Sequence, residues 1–76
     1  MSTAVQSLVH GEANTPYIIK GIDTQGDAGM KGFLATLGCY EGQEVTIISM
    51  LQGNYVINVN NARYSIDTDL AAAIQI

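Results

Sequence analysis

The sequence predicts a mainly β domain: five short strands wrapped as a small closed or partly closed barrel, with one short helix between the first two strands and a helical turn before the last. Three observations predict it. β-Branched runs recur at close spacing, at "YIIKGI", "EVTIISML", "YVINV" and "ARYSI". Turn residues separate them, glycine at "QGN" and an asparagine pair at Asn60-Asn61. Only one stretch carries apolar residues at helical spacing, Met30, Phe33, Leu34 and Leu37.

Residues 1–14 are small and polar with no sustained period, which predicts a flexible lead; Leu8 and Val9 are its two candidates for the core. The folded domain is expected over residues 15–76. Proline is tolerated at the first residue of a strand, so Pro16 opens the first one, "YIIKGI". "DTQGDAGMKG" is a turn-rich connection in which Asp27 can cap a helix running to Leu37. Met30, Phe33, Leu34 and Leu37 fall within an arc of about 100° and are expected to face the core. Interior glycine costs about 1 kcal/mol against alanine, so Gly29 and Gly32 mark a helix held by packing. Gly38 ends it in the left-handed conformation, and Gly42 allows a tight turn into "EVTIISML". "QGN" leads into "YVINV", where Tyr55, Ile57 and Val59 share a face. Asn60-Asn61 tolerates positive φ and returns the chain as "ARYSI". Asp67 caps "TDLAAA", and "IQI" closes the domain.

Composition excludes several classes of function. The 76 residues form one domain, and a chain of this size buries only about 60% of the surface its unfolded form exposes. A deep enclosed active site has little room. The net charge is −4, and the only cations are Lys20, Lys31 and Arg63. Nucleic acid and polybasic membrane binding both need clustered lysine and arginine. One cysteine makes no intramolecular disulfide. The N-terminus lacks a basic region and apolar core of a signal peptide, and no run reaches the roughly 20 apolar residues of a span, so a cytoplasmic protein is expected, without direct membrane insertion. Charged residues make up only 13%, which leaves surface for a protein partner.

The candidate motifs reduce to structural roles. Gly21 and Gly26 have the glycine spacing of a phosphate loop, but Asp27 and Ala28 follow where lysine and Ser/Thr are required, and an acid there repels phosphate. "DTD" at Asp67–Asp69 lacks the glycine and the distant glutamate of a calcium loop and reads as helix capping. His10 and Cys39 are the only soft metal ligands, too few for a structural zinc site, so no metal residue is assigned. Cys39 stands where a small buried hydrophobe fits, and nucleophilic catalysis would need a base and an orienting group beside it. No carboxylate pair is placed for acid–base work. The residues therefore point to a non-catalytic domain, with no catalytic or cofactor-binding residue.

The stretch "LATLGCYEGQEVTII", through Leu34, Leu37, Gly38, Gly42 and Val45, resembles the FeoA family, small cytosolic proteins that accompany the ferrous iron transporter FeoB. Ile19 and Ile22 match the family's first strand, and Ile66, Leu70, Ala71, Ile74 and Ile76 match its end. The resemblance covers residues 17–76. It departs where the family often has arginine before the first leucine and proline before the second glycine; this chain has "KGF" and Glu41. The resemblance implies an SH3-like barrel, and a role in iron homeostasis as an interaction module that binds the cytosolic GTP-binding domain of a FeoB-like transporter or a second copy of itself. The alternative is a metal-ion or small-ligand sensor akin to the SH3-like C-terminal domain of iron-dependent repressors. Gly29, Gly32 and Thr36, opposite the apolar arc, are the candidate partner-binding residues, because small residues in a row admit another backbone. Gly38 and Gly42 are the structural turn.

Overall fold

The computed structural model describes residues 6–76. In chain order it contains a 3-10 turn at Leu8–His10, strands β1 (Pro16–Ile18) and β2 (Gly21–Ile22), helix α1 (Ala28–Leu37), strands β3 (Glu44–Leu51), β4 (Asn54–Val59) and β5 (Ala62–Asp67), helix α2 (Thr68–Ala73) and strand β6 (Ile74–Gln75). The strands form an antiparallel sheet of order β1-β3-β4-β5 and a separate antiparallel pair, β2-β6.

Among the described residues there are thus six strands rather than five, because "YIIKGI" is cut in two. Its first half pairs with β3 and its second with β6. The transfer happens at Ile19 and Lys20. The Ile19 N–H donates to the Gln43 carbonyl at 2.8 Å, on the β3 side, and the Lys20 N–H donates to the Gln75 carbonyl at 2.7 Å, on the β6 side. One continuous segment therefore serves both sheets, and Ile19 is buried at the point of exchange.

The two hairpins follow their turn chemistry. Asn60 and Asn61 both have positive φ, as do Gln52 and Gly53, which suits two-residue loops between right-twisted strands. The register slips once, between Ile47 and Ser49. The extra residue at this bulge shifts the pairing by one: Ile47 pairs with Ile57 before it, and Met50, which is exposed, pairs with Tyr55 after it. Tyr55, Ile57 and Val59 lie on the core face together with Val45, Ile47 and Ile66.

Packing also begins earlier than the expected boundary at residue 15. Residues 1–5 of the expected lead lie outside the described residues, but residues 7–14 belong to the domain. Leu8 is fully buried in the core. Ser7 bridges to Gln75, the Ile76 N–H donates to the Gln6 carbonyl at 2.8 Å, and the Asn14 N–H donates to the Ile47 carbonyl at 2.7 Å. The segment has no periodicity because it is fixed by scattered backbone bonds to β3 and the C-terminal strand. A Cβ on Gly11 would meet the Tyr17 ring at 3.0 Å, so any side chain there would have to displace that ring.

Candidate interaction surface

Helix α1 starts at Asp27, whose Oδ1 accepts the Met30 N–H at 3.0 Å. It stops at Gly38, with φ of 94°. The Gly38 N–H donates to the Ala35 carbonyl and the Cys39 N–H to the Leu34 carbonyl, at 3.0 and 2.9 Å, the paired bonds of a Schellman cap. That motif places a hydrophobic residue directly after the left-handed one, against the residue three positions before the helix end. Cys39 and Leu34 occupy these two places, and both are buried. Burial pushes the Cys39 thiol up to about 11, so at neutral pH it is a packing group and not a thiolate. Gly42 follows with φ of 93° in a turn closed by the Gln43 N–H on the Tyr40 carbonyl at 3.1 Å, and its own N–H donates to the Ile19 carbonyl at 2.8 Å. Gly38 therefore has the left-handed backbone expected of it, and Gly42, expected to allow a tight turn, shares that conformation.

The apolar arc is narrower than expected. Leu34 and Leu37 are buried and Met30 is half-buried, but Phe33 is 48% exposed. At about 100° per residue, Phe33 lies at the margin of the arc, roughly 70° from the midpoint of the two leucines. It borders the outward stripe of Gly29, Gly32 and Thr36, all three exposed. The Thr36 hydroxyl donates to the Gly32 carbonyl at 2.9 Å, which leaves its methyl group outward on the helix. No atom lies within 4 Å of a Cβ built on Gly32. Tyr40, just beyond the helix, is 49% exposed, and the Gln43 amide donates to its hydroxyl at 3.2 Å. The structure thus brings the three candidate residues onto one solvent-facing side of α1 and adds an exposed aromatic ring to them. Sequence reasoning missed that ring because it assigned Phe33 to the core by spacing alone.

Two open cavities, of about 260 and 290 Å³, flank the loop between β2 and α1 and share Asp23, Thr24 and Gln25 in their walls. One is completed by Met30, Asp69, Ala72 and Ala73, the other by Ile22, Gly26, Ala28 and Lys31. Asp23 is committed locally, since its Oδ1 accepts the Gln25 N–H at 3.1 Å. Among the described residues no three His, Cys, Asp or Glu side chains gather where they could hold a metal ion. His10 is exposed, and its Nδ1 accepts the Ser7 N–H at 3.4 Å, whereas Cys39 is buried. No helix among the described residues is long and apolar enough to cross a membrane.

A three-stranded meander flanked by β1 and joined to a strand pair, with one helix before the meander and a helical turn before the last strand, defines a small SH3-like β domain. Solved structures share it. An iron uptake regulatory protein, FeoA, superposes with a TM-score of 0.80 at 21% identity, over 95% of this chain and 93% of that one. The Stenotrophomonas maltophilia FeoA complexed with zinc, described as a prokaryotic SH3 domain protein, has a TM-score of 0.80 at 16% identity, over 91% of this chain and 86% of that one. A manganese-dependent transcriptional repressor has a TM-score of 0.85 at 14% identity, over 100% of this chain but 42% of that one. No curated protein sequence matches significantly. The FeoA domain family matches residues 7–76, and this chain belongs to that family.

Proposed function

We propose that the protein is a non-catalytic accessory module of ferrous iron transport in the cytoplasm, which acts by binding the cytosolic GTP-binding part of a FeoB-type transporter. The FeoA domain match over residues 7–76 carries this reading. The surface of α1 supports it: Gly29, Gly32 and Thr36 let another backbone approach, and Phe33 beside them supplies an aromatic anchor of the kind that dominates interface energetics. A helix face with no partner would more commonly carry glutamate and lysine, which form helices better and stay solvated.

The test is a binding measurement with the transporter's soluble GTP-binding domain, with and without nucleotide, for the parent and for Thr36→Trp. Thr36 is exposed, so the variant is expected to melt like the parent and to bind at least tenfold more weakly. A folded Thr36→Trp protein that binds as the parent does removes α1 as the docking face. Absence of binding by the parent in either nucleotide state removes the transporter as the partner.

One observation favours a second reading, a metal-ion or small-ligand sensor: the whole chain superposes on part of a manganese-dependent repressor. The cavities beside Asp23–Gln25 are where a small ligand would sit. Anaerobic calorimetry of the untagged chain with ferrous or manganous ion separates the two. The accessory reading expects no stoichiometric heat; a saturable site of one ion per chain would favour the sensor.

A further inference from the structure

Strand β5 is an outer strand of the four-stranded sheet and, among the described residues, pairs only with β4. The two-residue loop Asn60-Asn61 makes Val59 and Ala62 a pair that exchanges both backbone bonds. In an antiparallel ladder these pairs alternate with ones that do not bond each other. Arg63 and Ser65 therefore turn their N–H and C=O groups away from β4, toward the free edge, as Asp67 does its N–H; the Asp67 carbonyl, at the N-cap of α2, belongs to the helix. Among the described residues, the loop and turn bonds include none from the Arg63 or Ser65 backbone, and both residues are exposed. The other outer strand of the sheet, β1, is short and opens with Pro16, which has no N–H to offer. Strand β5 is six residues long and contains no proline.

The side chains on this edge have a particular order. Arg63, Ser65 and Asp67 project from the same face, two residues apart, with a cation at one end, an anion at the other and a small hydroxyl residue between. We propose that β5 pairs antiparallel with β5 of a second copy of this chain, in a register centred on Ser65. In that register Ser65 faces Ser65 of the second copy and exchanges both backbone bonds with it. Arg63 faces Asp67 of the second copy, and by symmetry Asp67 faces its Arg63, so two opposite-charge pairs form on directly opposed positions. Asp67 keeps its role at α2, because capping the Leu70 N–H at 2.9 Å uses Oδ1 and leaves Oδ2 for the guanidinium. Centring on position 63 would oppose two arginines, and centring on position 67 two aspartates. The charge order thus selects one register. The pairing joins the two four-stranded sheets edge to edge. One six-residue strand is a small interface, so the dimer is a weak one that forms at high concentration.

Sedimentation and ¹⁵N NMR of the full chain over a concentration series up to about 1 mM test this, a range matched to weak interfaces. The parent is expected to shift from monomer to dimer, with concentration-dependent amide shifts confined to residues 62–67, and to dissociate several-fold more readily in 0.5 M salt. Arg63→Glu leaves every backbone bond in place and opposes like charges, so it is expected to weaken the dimer about tenfold. Ser65→Pro removes an N–H that β4 does not use and should abolish the dimer; its near-parental melting checks that the edge assignment is right. A parent that stays monomeric to about 1 mM overturns the proposal. So does a dimer indifferent to both variants, or one whose shifts map to α1 or β1.

Discussion

Both helices start from an aspartate whose Oδ1 accepts an N–H three residues on, Met30 for Asp27 and Leu70 for Asp67. After that first turn they diverge. Helix α1 buries two large side chains, Leu34 and Leu37, and holds the strands at side-chain distance. Helix α2 buries Ala71 and Ala73, and its backbone packs directly on the Leu8–His10 turn, β5 and β4. Leucine sets a helix on stilts, whereas alanine lets it pack close against its neighbours. The ends differ as well. Helix α1 needs the left-handed Gly38 and a turn to reach β3, while α2 runs from Ala73 straight into β6. The difference teaches why α1, rather than α2, leaves a side-chain face open to solvent. A helix attached by two side chains leaves most of its surface free, and a six-residue plug between two strands does not.

The comparison can be broken most forcefully at Leu34. It is fully buried and is one of only two buried anchors of α1, so Leu34→Ala is expected to cost about 3 kcal/mol in chemical unfolding. A loss below about 1 kcal/mol would mean that α1 is held by something other than its leucines. Next is Gly38→Val, expected to cost about 2 kcal/mol, because a β-branched residue resists a φ of 94° and its Cβ would lie 3.4 Å from that of Asn60. Unfolding within a few tenths of a kcal/mol of the parent would reject the cap geometry.

Cys39 sharpens the same corner through pH. Its thiol is raised from 9.0 to about 11 by burial, so the unfolded chain releases its proton first. The stability held by the neutral thiol is complete below pH 9 and is lost as pH rises toward 11, by about 2 kcal/mol at the upper end. Tyrosines titrate in the same range, so the measurement is the difference between the parent and Cys39→Ala across pH 8–11. Equal slopes for the two proteins would show that Cys39 ionises freely in the folded state. The smallest effect is at the caps. Asp67→Ala is expected to cost about 1 kcal/mol globally, because α2 links β5 to β6 through the core. Asp27→Ala is expected to cost less and to increase amide exchange only in the first turn of α1, which can fray without disturbing the sheets. The reverse order would mean that α1, not α2, closes the fold.

Local chemistry reads directly from the chain at many positions. Asp27 and Asp67 as caps, Gly38 and Gly42 as left-handed residues, Asn60-Asn61 as a hairpin loop and Glu44–Leu51 as a strand are each specified within a few residues. Each rests on φ preferences or on one hydrogen bond close in sequence. The outward position of Gly29, Gly32 and Thr36 is legible for the same reason, since helical spacing fixes which residues share a side. Other features depend on contacts between distant segments. That "YIIKGI" is two strands is decided by Gln43 and Gln75, whose carbonyls take the N–H groups of Ile19 and Lys20 toward different sheets. That residues 7–14 belong to the domain is decided by β3 and the C-terminal strand, which supply their backbone partners. The exposure of Phe33 depends on how far α1 stands from the strands, and spacing along one helix cannot set a distance to another element. Sequence alone determined the turns, the caps and the alternation of each strand, because those are short-range preferences of individual residues. Only the tertiary structure decided which strands share hydrogen bonds, which aromatic ring is left in water and which edge is left open, because each is a competition among segments that meet only when the chain is folded.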